Sequence, residues 1–369
     1  MKTAFIYDDS LSSYSFGEGH PFIGARFQRF FNFFSSHLSA FKDKFELIKP
    51  PLATDEELGL VHTKDYIKAI STASKGIILD DIYRYVSSDN LNPLTGYIPQ
   101  DIDEGSRIIV GGAILAGKLI AENEFKKVIG IGGMHHAKPD FGEGFCFYND
   151  IAICVNNLKK KYNLNKILVI DTDAHAGNGT AEIFYSDNEV LFIDIHQHPY
   201  TLYPQTGYVN EIGDGKGKGF NVNLPVLPGA STVSYEYIFE EVIIPLAFEF
   251  KPEVIIRYGG SDPHYLDELT NLGLTLSGFK MMGEKVRFIA EEITQGSFID
   301  LQLSGYNIEV LPYAWTALIC GLLDLDVDLG DFKEETPPSP NARLEETKEM
   351  VKELKKILRK YWQCMGNKN

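Results

Sequence analysis

The stretch Ile167-Leu168-Val169-Ile170-Asp171-Thr172-Asp173-Ala174-His175 decides the fold class. An apolar run, rich in β-branched residues, passes directly into two acids and a histidine. Such a run is typical of a strand that is buried on both faces, as in a parallel sheet covered by helices. Ligands of these sheets bind beyond the carboxyl ends of the strands. The polar end of this stretch therefore lies where a functional site is expected.

Similar apolar runs at 127–131, 190–193 and 254–256 extend the pattern along the chain. Between them, 149–162 and 235–250 carry apolar residues at helical spacing, which predicts two amphipathic helices. The alternation of strands and helices predicts an α/β fold around a parallel sheet.

Two segments interrupt this pattern. Residues 79–104 are rich in turn formers and acids and predict a long surface loop. Residues 336–340 contain three prolines and separate a main domain, 1–335, from a C-terminal helical extension, 336–369. Ser339 is predicted to cap the last helix, with Pro340 in its first turn.

The apolar stripe of this last helix consists of Val351, Leu354, Leu358 and Tyr361. A stripe of this kind most often docks on the main core, so the extension is predicted to pack on the main domain. A helix that binds a partner protein is the alternative.

Composition excludes several classes of protein. The chain has 369 residues, 44% of them hydrophobic, and a net charge of -16. This acidity argues against direct nucleic-acid binding, which depends on Lys and Arg, and favours a cationic substrate or partner. The four cysteines form no CxxC pair. No apolar run approaches the roughly 20 residues that span a membrane. Residues 1–14 lack the apolar segment of a secretion signal. These features predict a soluble cytoplasmic protein without a membrane partner; a homo-oligomer stays open.

Acids and histidines follow each predicted strand: Gly-Gly-Met-His-His at 132–136, Asp-Ile-His at 194–196 and Gly-Gly-Ser-Asp at 259–262. Asp173 and His175 are two residues apart, so their side chains point to the same side of an extended segment. Together with Asp262 they can form a site of one imidazole and two carboxylates. Three protein ligands and an open position are typical of catalytic zinc, although Fe²⁺ and Co²⁺ also accept this donor set. Polar residues that cap turns are the alternative.

The neighbouring His135 and His136 need partners that fix the positions of their ring protons. Asp171 can accept a hydrogen bond from one ring, and Asn178 can orient the other. Two histidines beside a metal site indicate proton-transfer chemistry.

These motifs resemble the zinc-dependent histone deacetylase superfamily, which includes acetoin-utilisation-type proteins and acetylpolyamine amidohydrolases. The resemblance covers roughly residues 17–325. Its matching segments are 19–21, 60–62, 132–153, 169–185, 196–207, 259–279 and 304–307, together with Arg26 and Trp315. It implies one α/β domain with a mainly parallel eight-stranded sheet and helices on both faces, the arginase/deacetylase fold.

The resemblance also implies a role for individual residues. Asp173, His175 and Asp262 would hold one Zn²⁺. The catalytic residues would be the dyad of His135 and His136, Asp171 and Asn178 behind them, and the transition-state tyrosine Tyr306.

Further residues would bind the substrate and a second ion. Phe145, Tyr203 and the carbonyl of Gly144 would line a narrow acyl-lysine channel, with Leu269 at the rim. A structural K⁺ or Na⁺ would lie near Asp171, Asp173, His175, Asp194 and Ile195.

The chain departs from the family pattern at several positions. Asn178 replaces the Asp of one branch, Ala176 stands where most members have a second His, and Asp194 stands where a hydroxyl or small residue is common. Leu269 occupies the position where polyamine-specific members can carry an acid. None of these departures removes a proposed catalytic group.

The sequence therefore predicts a hydrolase that removes acyl groups, mainly acetyl, from amines, with acyl-lysine of proteins or peptides as the main substrate. Deacetylation of polyamines or other small amines is the first alternative. A second alternative is a ureohydrolase, which has a similar fold but uses two Mn²⁺. Such a site would need further bridging carboxylates near Asp173, and Ala176 and Asn178 provide none. An alternative of another class is a non-catalytic zinc-containing module that binds acyl-lysine. Such a module would not need an oxyanion donor, so Tyr306 argues against it.

Overall fold

A computed structural model describes residues 2–330 and 332–366. The strands are β1 Thr3–Ile6, β2 Phe45–Ile48, β3 Lys127–Ile131, β4 Ile167–Asp171, β5 Val190–Gln197, β6 Asn221–Val226, β7 Val254–Gly259 and β8 Phe298–Gln302. They form one eight-stranded sheet in the order β2-β1-β3-β8-β7-β4-β5-β6. Every neighbouring pair is parallel. The predicted parallel α/β fold is confirmed.

Helices precede or follow nearly every strand. The α-helices are α1 Ala25–His37, α2 Asp55–Leu58, α3 Lys64–Ala73, α4 Ile102–Ala121, α5 Asp150–Tyr162, α6 Asn178–Phe184, α7 Thr232–Ile238, α8 Ile244–Phe250, α9 Leu276–Ile293, α10 Leu311–Leu323 and α11 Leu344–Leu358. Short 3₁₀ turns span Asp9–Ser13, Ser39–Lys44, Ile82–Arg84, Ser88–Asn90, Gly215–Gly217 and Gln363–Met365. Within the described ranges, no helix combines the length and the apolar character needed to cross a membrane.

The two faces of the sheet bury different apolar clusters. Along β4, Ile167 and Val169 pack into the cluster that contains Val155 of α5. Leu168 and Ile170 point to the opposite face and pack into the cluster that contains helix α9. This alternation follows from the two-residue period of a strand. It explains why β4 has no polar residue until Asp171, where the strand ends.

The predicted helix over 235–250 is confirmed, with one irregular turn inside it. A π-helical turn, Phe239–Ile243, separates α7 from α8. Pro245 lies in the first turn of α8 and has no N–H to donate to the carbonyl four residues earlier. A wider helical turn before the proline accommodates its ring, which would otherwise clash with that carbonyl.

The predicted loop over 79–104 also ends earlier than expected. Helix α4 begins at Ile102, and the preceding Asp101 adopts a left-handed conformation with φ of 61°. The remainder is irregular apart from the two short 3₁₀ turns.

The last helix begins at Leu344, so the prediction that Ser339 caps it is wrong. Arg343, with φ of 61°, directly precedes the helix, and Ser339 instead accepts a backbone hydrogen bond from Ala342. Val351, Leu354 and Leu358 lie in the core cluster that also contains α9. Tyr361 lies beyond the helix end and is 39% exposed, whereas the neighbouring Trp362 is buried.

Candidate active site

The polar residues that follow β3, β4 and β7 meet at one edge of the sheet. Asp173 and His175 follow β4, Asp262 follows β7, and these two strands are direct neighbours. His135 and His136 follow β3. The parallel arrangement therefore brings together residues that are far apart in sequence, because parallel strands end at the same edge.

Asp173, His175 and Asp262 form a compact buried cluster. Nδ1 of His175 lies 3.1 Å from a carboxylate oxygen of Asp173 and 3.1 Å from one of Asp262. One ligand atom from each residue lies within 4.8 Å of the other two. Ser304 donates a 2.7 Å hydrogen bond to the second oxygen of Asp262 and holds this carboxylate in place.

The chemistry of this cluster fits a divalent cation. Burial and the neighbouring Asp173 raise the pKa of Asp262 to about 8, which reflects the cost of placing two carboxylates together away from water. A cation between them removes this cost. One imidazole nitrogen and two carboxylate oxygens are ligands that zinc accepts, and three ligands leave a position for a reactant.

The two histidines have different partners and different protonation states. Nδ1 of His135 lies 2.8 Å from Asp171, and Nδ1 of His136 lies 2.6 Å from the side-chain oxygen of Asn178. Burial opposes a charge on His135, but Asp171 and Asp173 outweigh it and raise its pKa to about 9. Burial and the charge of His135 hold the pKa of His136 well below its usual value. His136 is therefore the neutral ring of the pair.

The sequence analysis missed the acid that fixes the turn before the histidines. Asp150, the first residue of α5, accepts hydrogen bonds from the backbone N–H groups of Gly133 and Met134 at 3.0 and 2.7 Å. This contact anchors the backbone from which both histidines extend. Asp150 follows Asn149 inside a segment that the family resemblance covers, but no spacing rule identifies it as the partner of the turn that follows β3.

A narrow cavity lies between the cation cluster, the histidines and two aromatic rings. Its volume is about 20 Å³, and its wall includes His136, His175, Gly144, Phe145 and Tyr306. This is room for about one water molecule. The rings of Phe145 and Tyr306 are in edge-to-face contact, with their centres 5.9 Å apart, and form the aromatic part of this wall.

Gly144 is required by the close approach of this wall to a histidine. Its φ is +60°, and a Cβ there would lie 2.2 Å from Cδ2 of His136. A side chain at this position would push the ring of His136 out of place. The aromatic ring of Tyr203 packs on the same histidine, with ring centres 5.1 Å apart.

Tyr306 is held at the cavity through its backbone. Its N–H donates a 2.8 Å hydrogen bond to Asp267, a residue to which the sequence analysis assigned no role in catalysis. Burial, together with Asp173 and Asp262, raises the pKa of Tyr306 well above its usual value. The phenol therefore stays protonated and can donate a hydrogen bond.

Some predicted residues lie away from the cavity. Leu269 is 39% exposed and lies outside the cavity wall, with its N–H bonded to Asp267. Asp194, proposed for a monovalent cation, lies beside Asp171 in the sheet. Its carboxylate accepts hydrogen bonds from Gly177 N and from His196, which neighbours Ile195. The monovalent site stays a prediction.

Known proteins show the same domain. Residues 20–322 match the histone deacetylase domain. The chain is 36% identical to the acetoin utilization protein AcuC of Staphylococcus aureus over 332 residues, which cover 89% of this chain and 84% of that protein. It is 34% identical to a probable deacetylase of Archaeoglobus fulgidus over 333 residues, covering 87% and 88%.

A solved structure is similar over almost the whole chain. The crystal structure of the HDA15 HD domain superposes with a TM-score of 0.81 at 26% identity and covers 99% of this chain and 98% of that one. The domain match spans all the residues of the cation cluster, both histidines and Tyr306. On these grounds, the chain belongs to the histone deacetylase family, a family of hydrolases that act on acetylated substrates.

Proposed function

We propose that this protein is a Zn²⁺-dependent amidohydrolase that removes acetyl groups from amines, with acyl-lysine of proteins or peptides as its main substrate. One observation carries the proposal. A neutral histidine, a cluster suited to a divalent cation and a protonated phenol surround a cavity with room for about one water molecule. Amide hydrolysis needs a base, an electrophile and an oxyanion donor in this arrangement.

Each group has a role that its surroundings support. Zn²⁺ bound by Asp173, His175 and Asp262 would supply Lewis-acid polarisation and lower the pKa of a water toward about 7. His136 takes the proton of the attacking water on Nε2 and returns it to the leaving amine. Tyr306 donates a hydrogen bond to the oxygen on which negative charge develops.

His135 contributes through its charge. Its 2.8 Å hydrogen bond to Asp171 favours the protonated ring, and Nε2 of His135 lies 3.1 Å from Nε2 of His136. A positive charge this close keeps His136 neutral before the reaction. The same charge also stabilises negative charge that develops in the cavity.

The channel wall supports a substrate with a straight aliphatic stem. Phe145 and Tyr306 line the cavity with rings, Tyr203 packs on His136, and the Gly144 turn brings the wall close to His136. The methylene stem of lysine matches such a wall. Leu269 adds no charge near the rim, which favours acyl-lysine over a polyamine with further cationic nitrogens.

The proposal also covers a second substrate class and a second ion. The net charge of -16 favours a cationic substrate of either kind, so small acetylated amines remain the second candidate. A K⁺ or Na⁺ near Asp171, Asp173, His175, Asp194 and Ile195 is proposed from the family resemblance alone.

The test compares substrates on protein loaded with Zn²⁺. Acetate release should be measured in parallel from acetyl-lysine peptides, longer acyl-lysine peptides, and N-acetylated diamines and polyamines. We expect the highest kcat/KM for acetyl-lysine peptides and loss of hydrolysis in a His136→Ala variant. A large preference for small acetylated amines would replace the substrate assignment. Hydrolysis of none of these amides would refute the proposed function.

A further inference from the structure

We propose that Glu143 is a positioning residue that holds the side-chain amide of Asn178 with its oxygen toward His136. This contact keeps the ring proton of His136 on Nδ1 and the lone pair on Nε2, the nitrogen that faces Nε2 of His135 at 3.1 Å. The inference rests on the proposed function, in which His136 is the general base. It adds a group that does not touch the substrate and acts through Asn178.

The contacts form a short chain that leads away from the cavity. The Asn178 oxygen lies 2.6 Å from Nδ1 of His136, and Nδ2 of Asn178 donates a 2.8 Å hydrogen bond to Oε1 of Glu143. The same Glu143 oxygen lies 2.9 Å from Nζ of Lys138. The Glu143 side chain is only 15% exposed, so water competes weakly for it.

The chemistry of these groups leaves one arrangement of protons. An ionised carboxylate only accepts hydrogen bonds, so Asn178 must turn its NH₂ group toward Glu143. Its carbonyl oxygen then faces His136 and can only accept. Nδ1 of His136 must therefore carry the proton in the neutral ring, and Nε2 carries the lone pair.

Without Glu143, the NH₂ group of Asn178 loses its 2.8 Å acceptor, the contact that fixes the direction of the amide on the side away from His136. Its two ends are similar in size, and a rotation of about 180° exchanges donor and acceptor. Lys138 and Asn178 line the same surface cleft, and an ammonium group, which only donates, attracts the amide oxygen. A rotated amide would donate to Nδ1 of His136, so the proton of the neutral ring would move to Nε2, and the base would be blocked.

A carboxylate in place of Asn178 would not need this support. Both of its oxygens accept, so either orientation leaves the proton on Nδ1 of His136. The need for Glu143 therefore follows from the amide that this chain carries at position 178. An acid at both positions would place two carboxylates about 2.8 Å apart, which is the present distance from Nδ2 to Oε1.

The test is a double-mutant cycle with Glu143→Leu and Asn178→Asp, and with Glu143→Gln as the conservative variant. We expect Glu143→Leu to lower kcat on an acetyl-lysine peptide by about tenfold or more with little change in KM. Glu143→Gln should recover most of this loss, because its oxygen can still accept from Lys138 and Asn178. In the Asn178→Asp background, Glu143→Leu should leave kcat unchanged within about threefold or raise it, because it removes a repelling carboxylate.

A second measurement reads the tautomer without turnover. ¹⁵N NMR of the histidine rings in Zn²⁺-loaded protein should show the His136 proton on Nδ1 in the unsubstituted protein and on Nε2, at least in part, in Glu143→Leu. An equal loss of kcat in both backgrounds, or an unchanged tautomer in Glu143→Leu, would overturn the role of Glu143. If the unsubstituted protein hydrolyses no acetylated amine, the proposed function fails, and the NMR result alone decides about Glu143.

Discussion

Replacement of Tyr306 by Phe isolates a single hydroxyl group at the centre of the proposed mechanism. The ring of Tyr306 packs 5.9 Å from the ring of Phe145 and lies 5.6 Å from the guanidinium carbon of Arg26. A phenylalanine ring keeps both contacts. Among residues 2–330 and 332–366, no protein group accepts a hydrogen bond from the hydroxyl, and its removal leaves no partner unsatisfied. We therefore expect the free energy of unfolding to change by less than about 0.5 kcal/mol.

The expected effect on the reaction is much larger. The hydroxyl donates to an oxygen that becomes negative only in the transition state, and loss of one such donor costs about 3 to 4 kcal/mol. This cost corresponds to a decrease in kcat of about 100-fold to 1,000-fold. KM should change little, because the interaction is weak in the ground state.

Initial rates of acetate release from an acetyl-lysine peptide, measured with Zn²⁺-loaded protein, give both parameters. Tyr83→Phe is the matched control, since Tyr83 is 63% exposed and lies in the 79–104 segment. The control should retain full kcat. A Tyr306→Phe variant that keeps kcat within about threefold, or that changes only KM, would refute the role of Tyr306 as oxyanion donor.

Four further predictions concern the rest of the site. Gly144→Ala should lower kcat by about tenfold or more, because its Cβ would lie 2.2 Å from Cδ2 of His136. Gly96 also has a positive φ, but a Cβ there would meet no atom within 4 Å, so Gly96→Ala should retain activity. Removal of Zn²⁺ by a chelator should abolish hydrolysis, and added Zn²⁺ should restore it. Added Zn²⁺ should also raise the Tm of the metal-free protein, but not the Tm of the Asp262→Asn variant. In metal-free protein, the pKa of His135, raised to about 9, should add to the free energy of unfolding. This contribution is full below pH 6.5 and is lost as the pH rises through about 9. His135→Asn should flatten this part of a profile of unfolding free energy against pH. Finally, kcat/KM for a cationic peptide should fall as salt rises, with a smaller change for a neutral acetylated amide, if the negative charge of the protein attracts the substrate.

The sequence predicts the centre of the fold better than its edges. Strands β3, β4, β5 and β7 are visible because they are buried on both faces and read as unbroken apolar runs. The edge strand β2 is short and partly exposed, and its residues Phe45–Ile48 do not form a buried apolar run. The π turn within the helical segment 235–250 leaves no sign in the apolar spacing, which continues through it, and only Pro245 signals an irregular turn.

The site divides along a similar line. Asp173 and His175 are recognisable because two ligands follow one strand at a fixed spacing, and the family resemblance supplies Asp262 and Tyr306. Asp267 and Glu143 act through backbone or side-chain groups that are distant in sequence. Their partners depend on how loops pack, and no local pattern encodes such contacts.

The difference between the two histidines shows how the charge of the site is balanced. His135 and His136 are neighbours in sequence and are both buried, so burial alone would make both neutral. The carboxylate of Asp171 makes one ring a cation, whereas the amide of Asn178 leaves the other neutral. A carboxylate in direct contact with His136 would favour its charged form and reduce the fraction able to accept a proton. Placing the negative charge one side chain further away, at Glu143, keeps the proton on Nδ1 without charging the ring, and this separation is what allows two adjacent histidines to perform different functions.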